Sequence, residues 1–467
     1  MNFKRLRRHW PWLAGALLIL TFLSRMIEIR MDGDRRPVGD ITELAALSQR
    51  TDLNVLFVLI DTLRADRLGA WGYERDTSPT LDRLAATGIR FGHHLSQSSW
   101  TKCSMASLWT SLYPARTGVT RFDHVLSPEA VLPAELFREA GYQTAGVFRN
   151  GWVAPNFGFS QGFEVYHKPK PRPLLPSEKR VNATLSIEGT DLSAVESATA
   201  FLRAYGEERW FLYLHLMDVH EYVYDEASAK FGNSYSDVYD QSILRLNRVL
   251  DQLIQYIWRD ADLASRTLII VASDHGEAFN ERGYEGHARN VYPEVTEVPL
   301  IIALPFRLET GIVIEERTQN VDLWPTVLDL LGLPPLEPTD GRSLVPQILA
   351  AARDEKLESQ PAGLAITHLD RAWGQAGQEP QPQVAVVQGV HRFVSTVGPQ
   401  SIEELFDRRG DRFETTNVLA EQPEIADRLR AEVERYLEST PPWQEVPTVE
   451  IDEMEANQLR ALGYAVP

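Results

Sequence analysis

The chain has one cysteine in 467 residues, which excludes an internal disulfide and leaves the redox compartment open. Outside the N-terminus it also lacks a basic stripe. Lys and Arg number 47 against 65 Asp and Glu, a net charge of −18. Nucleic acid is therefore excluded as a general partner, because phosphate binding needs clustered positive charge. The apolar run near the N-terminus, residues 10–23, falls short of the roughly 20 residues of a membrane span. No small-x-small cleavage site follows it, since Thr21-Phe22-Leu23-Ser24-Arg25-Met26 offers bulky and charged residues. What is present, 43% hydrophobic and 24% charged residues, is the composition of an ordinary folded protein, neither disordered nor collagen-like.

Eight basic and three acidic residues fall in the first 36, against the acidic balance of the rest. Lys4, Arg5, Arg7 and Arg8 precede the apolar run, and Arg25 closes it. The absent cleavage site favours an uncleaved signal-anchor extended by Met26 and Ile27, over a cleaved signal or a peripheral helix. The expected organisation is a basic segment at 1–8, a signal-anchor or transmembrane helix at 9–27 and a polar linker at 28–52. The body would then be membrane-anchored by its N-terminus and face the periplasm or exterior.

From Asn54 the pattern changes. Runs at 54–60, 143–148, 211–217 and 267–272 are continuous apolar or β-branched stretches, as expected of strands buried on both faces. Amphipathic helices lie between them. One covers 79–87, with Ser78 as its N-cap and Gly88 as its stop; another covers 237–258, with Ile243, Leu246, Leu250, Leu253 and Ile257 on one face. This alternation predicts an α/β fold, a large mainly parallel sheet sandwiched by helices, over residues 53–350. Short strands near 363–367, 383–387 and 392–397 and a helix at 423–437 predict a small C-terminal α+β subdomain with an antiparallel sheet, residues 351–440. An acidic tail, 441–467, follows.

Three of the four strands end in aspartate: Asp61 directly, Asp218 directly, and Asp274 after one serine. Ligands of open parallel sheets bind at the carboxyl ends of the strands, so these carboxylates are placed to converge. Convergent carboxylates repel one another unless a cation sits among them. His220 and His275 stand beside two of them, and His287 follows in a glycine-flanked loop. Mixed Asp and His ligands suit Zn²⁺ or Mn²⁺ slightly better than Mg²⁺ or Ca²⁺. The blander reading of each aspartate is a turn or helix-cap residue. The stretch from Ser98 through Thr101, Lys102 and Cys103 to Trp109 reads as an irregular entry followed by a helix. At such a helix start, free amides and the dipole favour an anion. Thr101 would present its hydroxyl there to a sulfate or phosphate ester, its proton affinity lowered by a bound cation. The alternative is that Thr101 or Ser99 only caps the helix. Asn150 is a further candidate, for substrate contact, or simply a turn residue.

Taken in order, these segments resemble the sulfatase-like branch of the alkaline phosphatase superfamily. The likeness rests on Asn54 through Asp61, Gly72-Tyr73 through Thr77-Ser78-Pro79, Thr101 through Leu112-Tyr113-Pro114, Asp218-Val219-His220, Ser273-Asp274-His275-Gly276-Glu277, Gly286-His287, and Val321-Asp322-Leu323-Trp324-Pro325-Thr326. The family carries Cys or Ser followed by x-Pro-x-Arg and oxidises the first residue to formylglycine. Here Thr101 stands at that position, Cys103 at the proline position and Met105 at the arginine position. Threonine cannot become formylglycine. The paired aspartates of the family's first strand are reduced to Asp61-Thr62, which tells against calcium.

The resemblance implies a metal-dependent ester hydrolase acting on a small-molecule, lipid or glycan ester of sulfate or phosphate, through Thr101 and a covalent intermediate. Asp61, Thr101, Asp274 and His275 would hold one divalent ion. His220 and His287, with Lys102 as an extra positive charge, would act on the non-bridging and leaving oxygens. Asp218 would join a second ion with His220 and His287 if two are bound. Two alternatives remain: a membrane-anchored phospho-headgroup transferase, disfavoured by the single candidate span, and a catalytically silent binding protein of the same fold.

Overall fold

Runs without charge can be buried on both sides only in the middle of a sheet covered twice, and that is where they lie. The computed structural model of the protein describes residues 33–170, 173–182, 189–355, 363–374, 378–398 and 401–450. The basic segment, the expected anchor at 9–27 and the tail beyond 450 lie outside the described residues. Among those described, no helix is long and apolar enough to cross a membrane.

The main sheet contains β1 (Asn54–Ile60), β2 (Ile89–Leu95), β3 (Gln143–Val147), β4 (Val165–His167), β5 (Trp210–Leu216), β6 (Thr267–Ala272), β9 (Leu300–Ala303) and β10 (Ile312–Gln319). A two-strand hairpin, β7 (Ala278–Phe279) with β8 (Glu285–Gly286), lies between β6 and β9 in the chain. The strand order is β10-β2-β9-β6-β1-β5-β3-β4, and β9 runs antiparallel to both of its neighbours. The expected large, mainly parallel sheet is thus present. Along β1, Val55, Phe57 and Leu59 join one hydrophobic core, while Leu56, Val58 and Ile60 join the other. The helix Tyr235–Trp258 lays the expected stripe, from Ile243 to Ile257, on the second core. The helices Thr101–Thr110 and Leu323–Leu330 cover the first.

Register fixes what each strand end presents. Leu59 pairs with Ala272 on one side and His215 on the other. Continued past the strand ends, Asp61 lies level with Asp274, on the face already carrying Phe57, Tyr213 and His215. Asp218 falls one residue later than the position level with Asp61, and alternation turns it to the opposite face.

A second sheet, β11 (Ala365–Asp370), β12 (Pro382–Gln388), β13 (His391–Thr396) and β14 (Ile402–Asp407), is antiparallel and backed by the helix Pro423–Leu437. It joins the first sheet through His368, whose backbone amide donates to the Gln97 carbonyl at 2.8 Å. The stretch read as a polar linker is largely docked. Asp40 and Glu43 form a capping box on the helix Ile41–Ala46, Leu44 and Leu47 enter the core, and the Arg36 guanidinium lies 4.1 Å from the Trp258 ring centre. Two leucines, the buried Arg36 donating to the Leu304 carbonyl at 2.9 Å, and backbone hydrogen bonds of Arg35, Pro37 and Gly39 fasten a segment whose composition looks solvated.

Candidate active site

Four groups from two strand ends and one helix meet at a point closed to solvent. The helix Thr101–Thr110 starts after an extended Trp100, so Thr101 is its first residue. Trp109, two turns on, stacks on Trp324 with 5.2 Å between ring centres and meets Tyr213 edge-on at 5.0 Å. The Ser104 hydroxyl donates to the Asp274 carbonyl at 2.6 Å. Packing at one end and this hydrogen bond at the other fix the helix against the strands. Thr101 Oγ1 then lies 3.1 Å from His275 Nε2.

His275 Nδ1 is 3.0 Å from the Gly276 carbonyl, which can only accept, so Nδ1 carries the proton and the Nε2 lone pair faces the site. Asp274 Oδ2 is 3.3 Å and Asp61 Oδ1 3.8 Å from that nitrogen. Neither oxygen has a hydrogen-bond partner, though both carboxylates are fully buried. Their other oxygens are engaged: Asp61 Oδ2 accepts from Asn150 Nδ2 (2.7 Å) and His215 Nε2 (3.0 Å), and Asp274 Oδ1 from the His275 amide (3.0 Å). Orphaned buried carboxylate oxygens are costly. Two of them, beside a histidine lone pair, form a donor set that fits a divalent cation. One ligand atom each from Asp61, Asp274 and His275 lies within 4.8 Å of the other two.

The charges agree with this fit. Burial and the charge of Asp61 push Asp274 above the ordinary carboxylate range. Burial acts the same way on Asp61, but His220, His215 and His275 outweigh it and hold Asp61 below that range. The rings of His220 and His287 lie 5.0 Å apart, and that of His287 lies 4.5 Å from His275. Burial lowers His220 to about 4. Burial also acts to lower His287, but Glu277, 3.3 Å from its Nδ1, together with Asp61 and Asp274, raises it.

Two expectations are corrected. Asp218 is no ligand: its Oδ1 accepts from Arg149 at 2.7 Å, its Oδ2 pairs with Arg245, and it lies in a buried network with Asp191, Glu221 and Glu178. The face reversal described above put it there, and it removes the carboxylate on which a second cation depended. Lys102 does not supply positive charge to the ester. Its ammonium donates to the carbonyls of Phe122 and His124, the latter at 2.8 Å, and lies 4.0 Å from the Phe157 ring centre. The Cys103 thiol faces the His368 carbonyl, and burial pushes it up to about 12. Met105, in place of the family's arginine, is fully buried in the first core. His215 and Glu277 were not singled out from the sequence as site residues. The signal for His215 was a lone ionisable residue inside an apolar strand.

The sequence model of the sulfatase family matches residues 53–333, and that of the N-sulphoglucosamine sulphohydrolase C-terminal region matches 281–439. The chain belongs to the sulfatase family. This makes it an ester hydrolase of a family generally dependent on divalent metal, with Asp61, Asp274 and His275 as the candidate ligands. Among its relatives, a choline-sulfatase of Rhizobium meliloti (strain 1021) is 26% identical over 455 residues, covering 79% of this chain and 83% of the relative. A steryl-sulfatase of Rattus norvegicus is 22% identical over 416 residues, covering 65% and 72%. Among solved structures, a 2-O GAG sulfatase has a TM-score of 0.67 at 18% identity, covering 85% of this sulfatase-family chain and 98% of its own. The phosphonate monoester hydrolase of Agrobacterium radiobacter has a TM-score of 0.65 at 19% identity, covering 82% and 95%.

Proposed function

We propose that the protein hydrolyses a phosphate or sulfate ester of a small molecule, lipid or glycan, with Thr101 as nucleophile. One observation carries the reading: the Thr101 hydroxyl lies 3.1 Å from the His275 nitrogen that also faces both orphaned carboxylate oxygens. A divalent cation held by Asp61, Asp274 and His275 would lower the proton affinity of the Thr101 hydroxyl and offset charge on the ester oxygens. Thr101 Oγ1 attacks the central phosphorus or sulfur, the ester oxygen departs, and an ester of Thr101 is left. His287, held by Glu277, is placed to give the departing oxygen its proton, and His220 to contact a non-bridging oxygen. Water then opens the Thr101 ester, releasing the inorganic or monoester product.

This last step separates the protein from formylglycine enzymes. A formylglycine hydrate has a second hydroxyl on the same carbon to expel the transferred group; Thr101 has one hydroxyl, so water must attack the transferred atom itself. Phosphorus accepts two successive displacements of this kind, which favours a phosphorus ester. Lys4, Arg5, Arg7 and Arg8 ahead of the apolar run support a body held outside the cytoplasm by an N-terminal anchor.

The test is an assay of the full chain against aryl phosphodiester, phosphomonoester, phosphonate monoester and sulfate ester substrates, with Mn²⁺, Zn²⁺, Mg²⁺ or Ca²⁺ added. We expect metal-dependent turnover of a phosphorus ester that chelation abolishes and metal restores. Turnover of the sulfate ester alone would reverse the preference for phosphorus. No turnover of any ester by metal-loaded protein would favour the silent binding protein.

A further inference from the structure

Asp61 is one of three candidate ligands, and one of its two oxygens is fully engaged elsewhere. β5 carries Phe211, Tyr213 and His215 on one face, and Leu212, Leu214 and Leu216 on the other. Phe211 and Tyr213 pack into the aromatic core around Trp109. His215 is the next residue on that face, with no exposed surface, and lies level with Leu59 at the end of β1. A histidine at such a position has to find two partners.

It finds both. The Tyr213 hydroxyl is 2.8 Å from His215 Nδ1, and His215 Nε2 is 3.0 Å from Asp61 Oδ2. An ionised carboxylate only accepts, so Nε2–H donates to Asp61, and Nδ1 accepts from the Tyr213 hydroxyl. Asn150 meets the same oxygen from the other side at 2.7 Å, its amide orientation fixed by its own Oδ1 accepting the Trp152 amide at 2.8 Å. Two donors therefore hold Oδ2 and leave Oδ1 without a partner, facing His275 Nε2 and Asp274 Oδ2.

We infer that Tyr213 and His215 form a relay of positioning residues that fixes the Asp61 carboxylate in one rotation, with Oδ1 presented to the cation as a single-oxygen ligand. The relay stands where this chain has only one carboxylate, Asp61 being followed by Thr62, and it connects the ligand to the Trp109 aromatic core. Hydrogen-bond partners behind a metal ligand typically change metal affinity about 10–100-fold when removed. The inference rests on the cation site proposed above, so its test must separate the two.

The experiment titrates Mn²⁺ into the full chain and follows free Mn²⁺ by electron paramagnetic resonance, with far-UV circular dichroism and thermal melts as folding controls. His215→Ala should weaken Mn²⁺ binding about 10–100-fold, and His215→Gln, which can still donate to Asp61, should recover part of the loss. Tyr213→Phe keeps the packing and cuts only the far link. It should weaken binding about threefold or more in the wild-type background and have no further effect beside His215→Ala. A merely structural role would lower the melting temperature without this dependence of one substitution on the other. Folded His215→Ala and Tyr213→Phe proteins that bind Mn²⁺ within about twofold of wild type would overturn the inference while leaving the cation site standing. If His215→Ala does not fold, Tyr213→Phe decides alone. A wild-type protein that takes up neither Mn²⁺ nor Zn²⁺ would overturn the cation site, and the inference with it.

Discussion

The Thr101 hydroxyl lies 3.1 Å from His275 Nε2, the nitrogen that Asp274 Oδ2 and Asp61 Oδ1 also face, and 3.4 Å from Asn150 Nδ2. Thr101→Ala should therefore lower kcat/KM by at least about a thousandfold in steady-state assays, with Mn²⁺ binding largely kept. Thr101→Ser, which retains the hydroxyl, should keep measurable turnover. Asp218 gives the contrasting case. Asp218→Asn removes the partner of two buried arginines and should cost about 3–5 kcal/mol in urea unfolding, while Mn²⁺ affinity stays near wild type once the protein is folded. A large loss of Mn²⁺ affinity at unchanged stability would return Asp218 to the ligand set. At this scale the sequence was informative about Asp61, Asp274 and His275, because each sits at or next to a strand end. It misled on Asp218 and Lys102, because what decides them is the company of Arg149, Arg245 and the Phe122 and His124 carbonyls, brought in from distant segments.

The helix Thr101–Thr110 shows how an element places a residue. It is buried along its whole length, and its position depends on Trp109 among Phe57, Tyr213 and Trp324. Trp109→Ala should cost about 3–5 kcal/mol of stability by denaturant unfolding, and the fraction that remains folded should show a raised KM or lowered kcat as Thr101 drifts from His275. Unchanged kinetics at reduced stability would separate the aromatic core from the site. The strands 54–60 and 267–272 were legible residue for residue, since an uncharged β-branched run has few other uses, and the helix 423–437 was equally clear. β2, β9 and β10 were not read as strands. β2 carries Arg90, His93 and His94, and β10 carries Glu315, Glu316 and Arg317, and such strands lack the continuous apolar signature of the sheet's centre.

Across the whole molecule, the turn carrying Asp274 and His275 is braced from behind. His94 on β2 bonds Thr318 on β10 through Nδ1 (2.8 Å) and Asn320 through Nε2 (2.9 Å), and Asn320 Nδ2 donates to the Ser273 carbonyl next to Asp274 at 3.0 Å. Burial lowers His94 from 6.5 to about 4, so it is neutral in the folded protein. Its contribution to stability is present above about pH 6.5, is lost progressively as the unfolded chain takes up the proton, and is gone below about pH 4. The loss is about 3 kcal/mol over that window. Urea unfolding between pH 7 and pH 4 should show this slope, and His94→Gln should flatten it; an equal slope in both proteins would assign the acid sensitivity to other groups. The overall architecture, a mainly parallel sheet with a small antiparallel sheet beside it, was legible because strands and helices alternate and then stop alternating near residue 350. The docking of residues 34–50 was not, because Leu44 and Leu47 are too few to form a pattern.

The central claim is that one hydroxyl accepts the transferred group. Rapid quenching of metal-loaded protein with a fast aryl phosphodiester, followed by proteolysis and mass spectrometry, tests it most directly. We expect a phosphoryl adduct on the peptide carrying Thr101, formed and lost at rates compatible with turnover and absent in Thr101→Ala. An adduct on Cys103 or a histidine, or full turnover by Thr101→Ala, would contradict it.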